Sequence, residues 1–263
     1  PQRRPQEHGG YGDAASGLSL EALMYMYHTD KSRDDHKYSD LYSMLFDAIR
    51  HQVRNVTELG VMAGQSLKVW HDYFSRATIF GLDHFAYYDV DTVRLQLAAF
   101  PRARLMHADS QRESSVAQLG LAPSSMDFIV DDASHVLAHQ ERSLHVMWRY
   151  VRPGGYYVIE DVEWDRDGDS RTYPVVHAPG RLKPRTREIL EGSDAFFADT
   201  AVGHRAFDLW SRRLAAWSPQ EYLPRGLGRV DRTSHPSHLL VIRKRVDPLP
   251  PIAVKMNTRA MVM

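Results

Sequence analysis

The stretch Glu58-Leu59-Gly60-Val61-Met62-Ala63-Gly64-Gln65-Ser66 decides the fold. It closes a short apolar run, Val56–Val61, with a glycine turn and opens a helical pattern over Ser66–Phe74. A glycine at a strand end lets the chain pass close to a ligand, and the helix N-terminus beyond it favours negative groups. The glycines stand four apart, so this is not the dinucleotide pattern G-x-G-x-x-G. Outward from this turn, apolar runs at Ala77–Leu82, Ala103–His107, Met126–Val130 and Tyr156–Ile159 alternate with helical patterns at Asp91–Phe100, Ser115–Leu119 and Leu137–Val151. Strands with helices between them are βαβ units, and right-handed crossovers place helices on both faces of a parallel sheet. The expected fold class is therefore α/β.

Acids recur at the ends of these runs. Phe80-Gly81-Leu82-Asp83 ends in a carboxylate 23 residues after Gly60, where an acid can accept both hydroxyls of a ribose. The third run leads to Asp109, the fourth into Asp131-Asp132-Ala133-Ser134-His135, and the fifth into Glu160-Asp161. Parallel neighbours bring these ends into one cleft. Carboxylates gathered there repel one another unless a cation neutralises them. Oxygen donors suit Mg²⁺ or another hard divalent ion. Such an ion can hold a hydroxyl substrate, and His135 can take its proton, because imidazole titrates near neutral pH. Plainer readings stand beside these. Asp83 and Asp109 can be solvated loop residues or helix caps. Asp132 or Ser134 can cap the helix that starts near Leu137, and Asp161 can be a polar strand terminus. His135 and His139, spaced i, i+4, can form a zinc pair with Asp132.

The Glu58–Gly64 turn resembles motif I of class I S-adenosylmethionine (SAM) methyltransferases, which commonly reads E-x-G-x-x-x-G. Joined to Asp131-Asp132-Ala133-Ser134-His135, Arg152-Pro153-Gly154-Gly155 and Ile159-Glu160-Asp161, it is similar to the metal-dependent sugar O-methyltransferases of antibiotic biosynthesis, the mycinamicin and rhamnosyl type. The cephalosporin-hydroxylase-like proteins are related. An upstream block, His28-Thr29-Asp30-Lys31 through His36 and Tyr38, is similar to a T-D-K…H-x-Y segment of that group. The resemblance spans residues 25–165. It implies a Rossmann-like class I methyltransferase fold: a mostly parallel seven-stranded sheet, a terminal antiparallel hairpin and an N-terminal helical cover. It implies Asp132, Glu160 and Asp161 as Mg²⁺ ligands and His135 as the general base. Glu58, Gly60, Gly64, Asp83, Asp109 and Asp131 would line the SAM pocket, with Lys31, Tyr38 and Ser66 closing it. Ala133 stands where the family often has Gly. The expectation is of a core without the large N-terminal auxiliary domain of the mycinamicin type.

The rest of the chain completes the expected organisation. Residues 1–18 read as a flexible arm, 19–54 as a helical cover, 55–245 as the methyltransferase domain and 246–263 as a tail. Ser19 can cap a first helix carrying Leu20, Leu23, Met24 and Tyr27, and a second is expected over Ser39–Val53. Residues 162–200 read as a lid or substrate region, with a helix from Asp194 to Trp217. Arg229–Thr233 and His238–Lys244 read as a hairpin. Trp164, Tyr173 and Trp210 can stack on a sugar or simply pack.

The chain has 263 residues, 33 Lys+Arg against 33 Asp+Glu, 14 His and no Cys. Balanced charge argues against a dedicated nucleic-acid binder. Absent Cys excludes disulfides, Cys-ligated zinc and thiolate catalysis. No apolar run approaches the roughly 18 residues of a membrane span, and Pro1–Ala15 lacks an apolar signal core. The expected partner is thus a small-molecule hydroxyl acceptor, with no nucleic acid and no membrane; the expected location is cytoplasmic, with a homo-oligomer allowed. The acceptor reads as a sugar of a glycosylated natural product. A catechol or other diol, or a SAM-fold protein that does not methylate, is the alternative.

Overall fold

Five apolar runs form the parallel half of one sheet in a computed structural model that describes residues 17–162, 183–199, 205–208 and 238–246. The strands are β1 (Asn55–Leu59), β2 (Thr78–Asp83), β3 (Ala103–His107), β4 (Met126–Asp131), β5 (Val151–Ile159), β6 (Ser193–Asp199), β7 (Arg205–Asp208) and β8 (His238–Lys244). Their order is β3-β2-β1-β4-β5-β8-β6-β7. From β3 to β5 every pairing is parallel, whereas β8, β6 and β7 pair antiparallel. The mostly parallel sheet with an antiparallel end is as expected; the short β7 makes an eighth strand at its edge.

The helices are α1 (Leu20–Met26), α2 (Tyr38–Phe46), α3 (Gln65–Tyr73), α4 (Val90–Gln96), α5 (Glu113–Ala117), α6 (Leu137–Met147) and α7 (Pro184–Glu191). Ser19 caps α1 as expected: its side chain accepts the Ala22 amide at 3.2 Å. The second helix ends at Phe46, short of the expected Val53. The expected helix from Asp194 to Trp217 is not formed at its start, because Ser193–Asp199 is a strand. That segment pairs with β8 along its whole length and buries Ser193, Ala195 and Ala198. A free sheet edge offers more hydrogen bonds and apolar cover than local helical preference can offset. Arg229–Thr233, Trp164, Tyr173 and Trp210 lie outside the described residues.

β4 is buried along all six residues, as a central parallel strand should be. Its side chains alternate between two apolar layers. Phe128 and Val130 join α1, α2 and α3 on one face; Ile129 joins Leu144 and Met147 of α6 and Ile189 and Leu190 of α7 on the other. The Phe128 ring centroid lies 4.6 Å from that of Phe46, 5.6 Å from Trp70 and 5.7 Å from Tyr42. The two N-terminal helices are therefore part of the same core as the sheet. No helix among the described residues is long and apolar enough to cross a membrane.

The order in which strands are added across the sheet reverses between β1 and β4, which creates a crevice at their carboxyl ends. The register places Leu59 opposite both Leu82 and Asp131, and Asp131 opposite Ile159. The Gly60 turn, Asp83, Asp132 and Glu160 consequently leave the sheet at one level.

Candidate active site

The glycine turn is bound to the acids rather than standing apart from them. Gly60 has φ +87°, and a Cβ there would lie 2.3 Å from the Asp132 carbonyl oxygen and 2.7 Å from Ala133 Cα. The missing side chain thus makes room for the β4 loop, a close backbone approach different from the ligand approach expected of it. The Asp132 amide donates to the Leu59 carbonyl at 2.9 Å, which fastens the same junction. Gly64 also has a left-handed conformation and is the N-cap of α3.

Asp83 clamps this turn. Its Oδ2 accepts the Val61 amide at 2.7 Å and its Oδ1 accepts the Phe85 amide at 2.6 Å. Asp109 behaves similarly at the next strand end: Oδ1 accepts the Gln111 amide at 3.0 Å, and Oδ2 lies 3.1 Å from Arg112 Nε. Asp109 therefore organises its own loop at the crevice rim, and Asp83 ties its own loop to the Gly60 turn.

Two further acids lie below the crevice. Glu58 is fully buried and accepts the Ser66 hydroxyl at 2.7 Å. Burial pushes its carboxyl up to about 7, against the opposing pull of Lys31. Asp131 is also buried; burial pushes it up to about 7, although the Tyr157 hydroxyl donates to Oδ2 at 3.0 Å.

Asp132, His135 and Asp161 come together at the centre. One ligand atom from each lies within 4.8 Å of the others, and all three are half-buried. His135 Nδ1 is 3.7 Å from Asp161 Oδ2, and His36 Nδ1 is 3.6 Å from Asp161 Oδ1. Asp161 has φ +51°, a left-handed conformation uncommon for a residue with a side chain. Tyr38 holds it there: the hydroxyl donates to Oδ1 and accepts the Asp161 amide at 3.4 Å. Two carboxylates and an imidazole are a donor set that fits a hard divalent ion.

Glu160 is not in that group. Its Oε2 is 2.5 Å from Lys31 Nζ and its Oε1 accepts the Tyr42 hydroxyl at 2.5 Å. Lys31 Nζ is also 2.5 Å from Asp132 Oδ2. Burial alone would lower the Lys31 pKa, but the charges of Asp132 and Glu160 more than reverse this, so the ammonium persists.

The plainer readings of the Asp132 loop are not realised. Val136 is the N-cap of α6 and receives no side-chain cap. Ser134 Oγ instead meets His139 Nδ1 at 2.8 Å, and His139 does not join the group that Asp132 and His135 form. Tyr42, Tyr157 and Gln140, whose Nε2 donates to the Glu160 carbonyl at 2.9 Å, were absent from the expected site. Tyr42 was legible in principle, since it stands one helical turn after Tyr38 and so shares its face.

The sheet order and the acids at its switch point define a class I methyltransferase fold. The chain aligns with the MycE methyltransferase from the mycinamycin biosynthetic pathway, solved in complex with Mg and SAH, at a TM-score of 0.56 and 22% identity, over 89% of this chain and 56% of that one. It is similar in sequence to mycinamicin VI 2''-O-methyltransferase of Micromonospora griseorubida, 31% identical over 150 residues. It is also similar to L-olivosyl-oleandolide 3-O-methyltransferase of Streptomyces antibioticus, 33% identical over 149 residues. Each match covers 54% of this chain and 36% of the relative, so the matched region spans about a third of the length of these proteins. No family model matches the chain.

Proposed function

We propose that this chain transfers the methyl group of SAM to a hydroxyl of a sugar carried by a natural product, with the help of a divalent ion. The observation that carries the reading is the Asp132, His135 and Asp161 group at the switch point, directly beside the Gly60 turn. Sequence similarity to two sugar O-methyltransferases supports the acceptor class.

In this reading Asp132, Asp161 and Glu160 would hold Mg²⁺ or Mn²⁺, which would supply a fixed positive charge beside the sugar hydroxyl and so ease its deprotonation. His135 accepts the hydroxyl proton. Asp161 Oδ2 lies 3.7 Å from Nδ1 of the same ring. The deprotonated oxygen attacks the methyl carbon, the carbon–sulfur bond breaks, and its electron pair leaves with sulfur. Tyr38 and His36 keep Asp161 in place. Asp83, Asp109, Glu58, Asp131, Gly60, Gly64 and Ser66 shape the floor and rim of the SAM pocket, with Lys31 beneath. The loops after β4 and β5 thereby act on the acceptor, while the β1–β3 ends and Asp131 act on the donor.

The test pairs one substitution with one chelation. His135→Ala is expected to keep SAM binding by calorimetry and to lose methyl transfer by roughly 10²-fold or more, the usual contribution of a positioned base. EDTA is expected to abolish transfer, with Mg²⁺ or Mn²⁺ restoring it. Full transfer by His135→Ala removes the base assignment, and full transfer in EDTA removes the ion.

A further inference from the structure

Lys31 is only 2% exposed, yet carries a full positive charge into the acid cluster. Its Nζ lies 2.5 Å from Asp132 Oδ2 and 2.5 Å from Glu160 Oε2. An ammonium taken out of water is tolerated only where opposite charges meet it directly. Here the charges that meet it are two of the three carboxylates assigned to the divalent ion. Asp132 is shared outright, because it pairs with Lys31 and also belongs to the group with His135 and Asp161. Glu160 is held back, with one oxygen on Lys31 and the other on Tyr42.

We propose that Lys31 is a built-in competitor for the divalent ion, so that the ion binds only as far as Asp132 and Glu160 exchange the Lys31 ammonium for it. This rests on the reading that Asp132, Glu160 and Asp161 hold such an ion. Like charges drawn to the same carboxylate oppose each other, and they do so strongly where water is excluded. The competition extends to the surrounding loop. The Lys31 carbonyl accepts the Tyr38 and Ser39 amides, each at 3.1 Å, and so anchors the start of α2. His28 and Lys37, on either side of the Lys31 segment, have φ +56° and +61°. Withdrawal of the Lys31 ammonium is therefore tied to the segment that delivers His36 and Tyr38 to Asp161.

The experiment measures Mn²⁺ affinity of the full chain by electron paramagnetic resonance at pH 8 and fixed ionic strength, for the wild type and Lys31→Met. The expected result is binding about tenfold tighter or more in Lys31→Met, from removal of a unit charge a few ångströms from the ion. Unchanged or weaker binding overturns the proposal and makes Lys31 an organiser of the ligands. Should Lys31→Met not fold, amine labelling of the wild type followed by peptide mass spectrometry gives the same decision. Mn²⁺ is expected to raise the labelling rate at Lys31, and an unchanged or lower rate overturns the competition. Absence of Mn²⁺ binding in the wild type removes the ion reading as well, whereas wild-type binding without the shift removes only the role of Lys31.

Discussion

Replacing Gly60 by alanine should separate backbone packing from ligand approach at the first turn. The new Cβ would lie 2.3 Å from the Asp132 carbonyl oxygen, against at least 3.4 Å for ordinary contact, so the Asp132 loop must retreat by about 1 Å. Every near atom is backbone, and none can swing aside. The left-handed φ adds about 1–2 kcal/mol for a residue with a Cβ. Together with the strained Asp132–Leu59 hydrogen bond, the expected loss is about 3 kcal/mol or more. Gly64→Ala is the control. Its φ is also left-handed, but its Cβ would meet only side chains, at 3.4–3.5 Å. The control should therefore lose only the roughly 1–2 kcal/mol of conformational cost. Urea denaturation measures both losses, and Mn²⁺ titration reads the Asp132 displacement. The reasoning fails if Gly60→Ala and Gly64→Ala lose equal stability and Mn²⁺ affinity is unchanged in both.

Two further outcomes follow from the buried polar groups. Glu58 titrates at about 7 in the folded chain against 4.5 as a free side chain. Between those values the folded state keeps a proton that the unfolded state has released, so wild-type stability falls as pH rises from 4.5 to 7. The drop amounts to about 3 kcal/mol. Glu58→Gln should remove this contribution and leave that of Asp131, which is also held near 7, in urea titrations run across pH 4.5–7.5, and an unaltered slope would exclude Glu58 as a source. Tyr42→Phe leaves Glu160 Oε1 buried without its donor, at a cost of about 1–3 kcal/mol. Thermal or urea unfolding of that variant checks the figure, and a loss below about 0.5 kcal/mol would show that Tyr42 does not hold Glu160.

The parallel half of the sheet was legible because each strand is a compact apolar run punctuated by a helix. Acids at successive strand ends then pointed to one crevice. What the sequence hid was tertiary. The start of the expected helix, from Asp194, reads as helix until β8 is available as a partner. Gly60 could be seen as a close-approach residue, but not that Asp132 and Ala133 are what approach it. Lys31 and Glu160 are 129 residues apart, and no local pattern reveals that one neutralises the other. Tyr42 shared a helix face with Tyr38, but only the packing of α2 under β5 gives that face a purpose.

The most direct measurement of the central claim is methyl transfer itself. The full chain would be incubated with methyl-labelled SAM, Mg²⁺ and a panel of glycosylated polyketides and catechols, and products would be located by mass spectrometry and NMR. Labelled methyl on a sugar hydroxyl, dependent on Mg²⁺ and on His135, is the predicted result. Transfer to catechols alone, or SAM binding with no transfer to any acceptor in the panel, would contradict it.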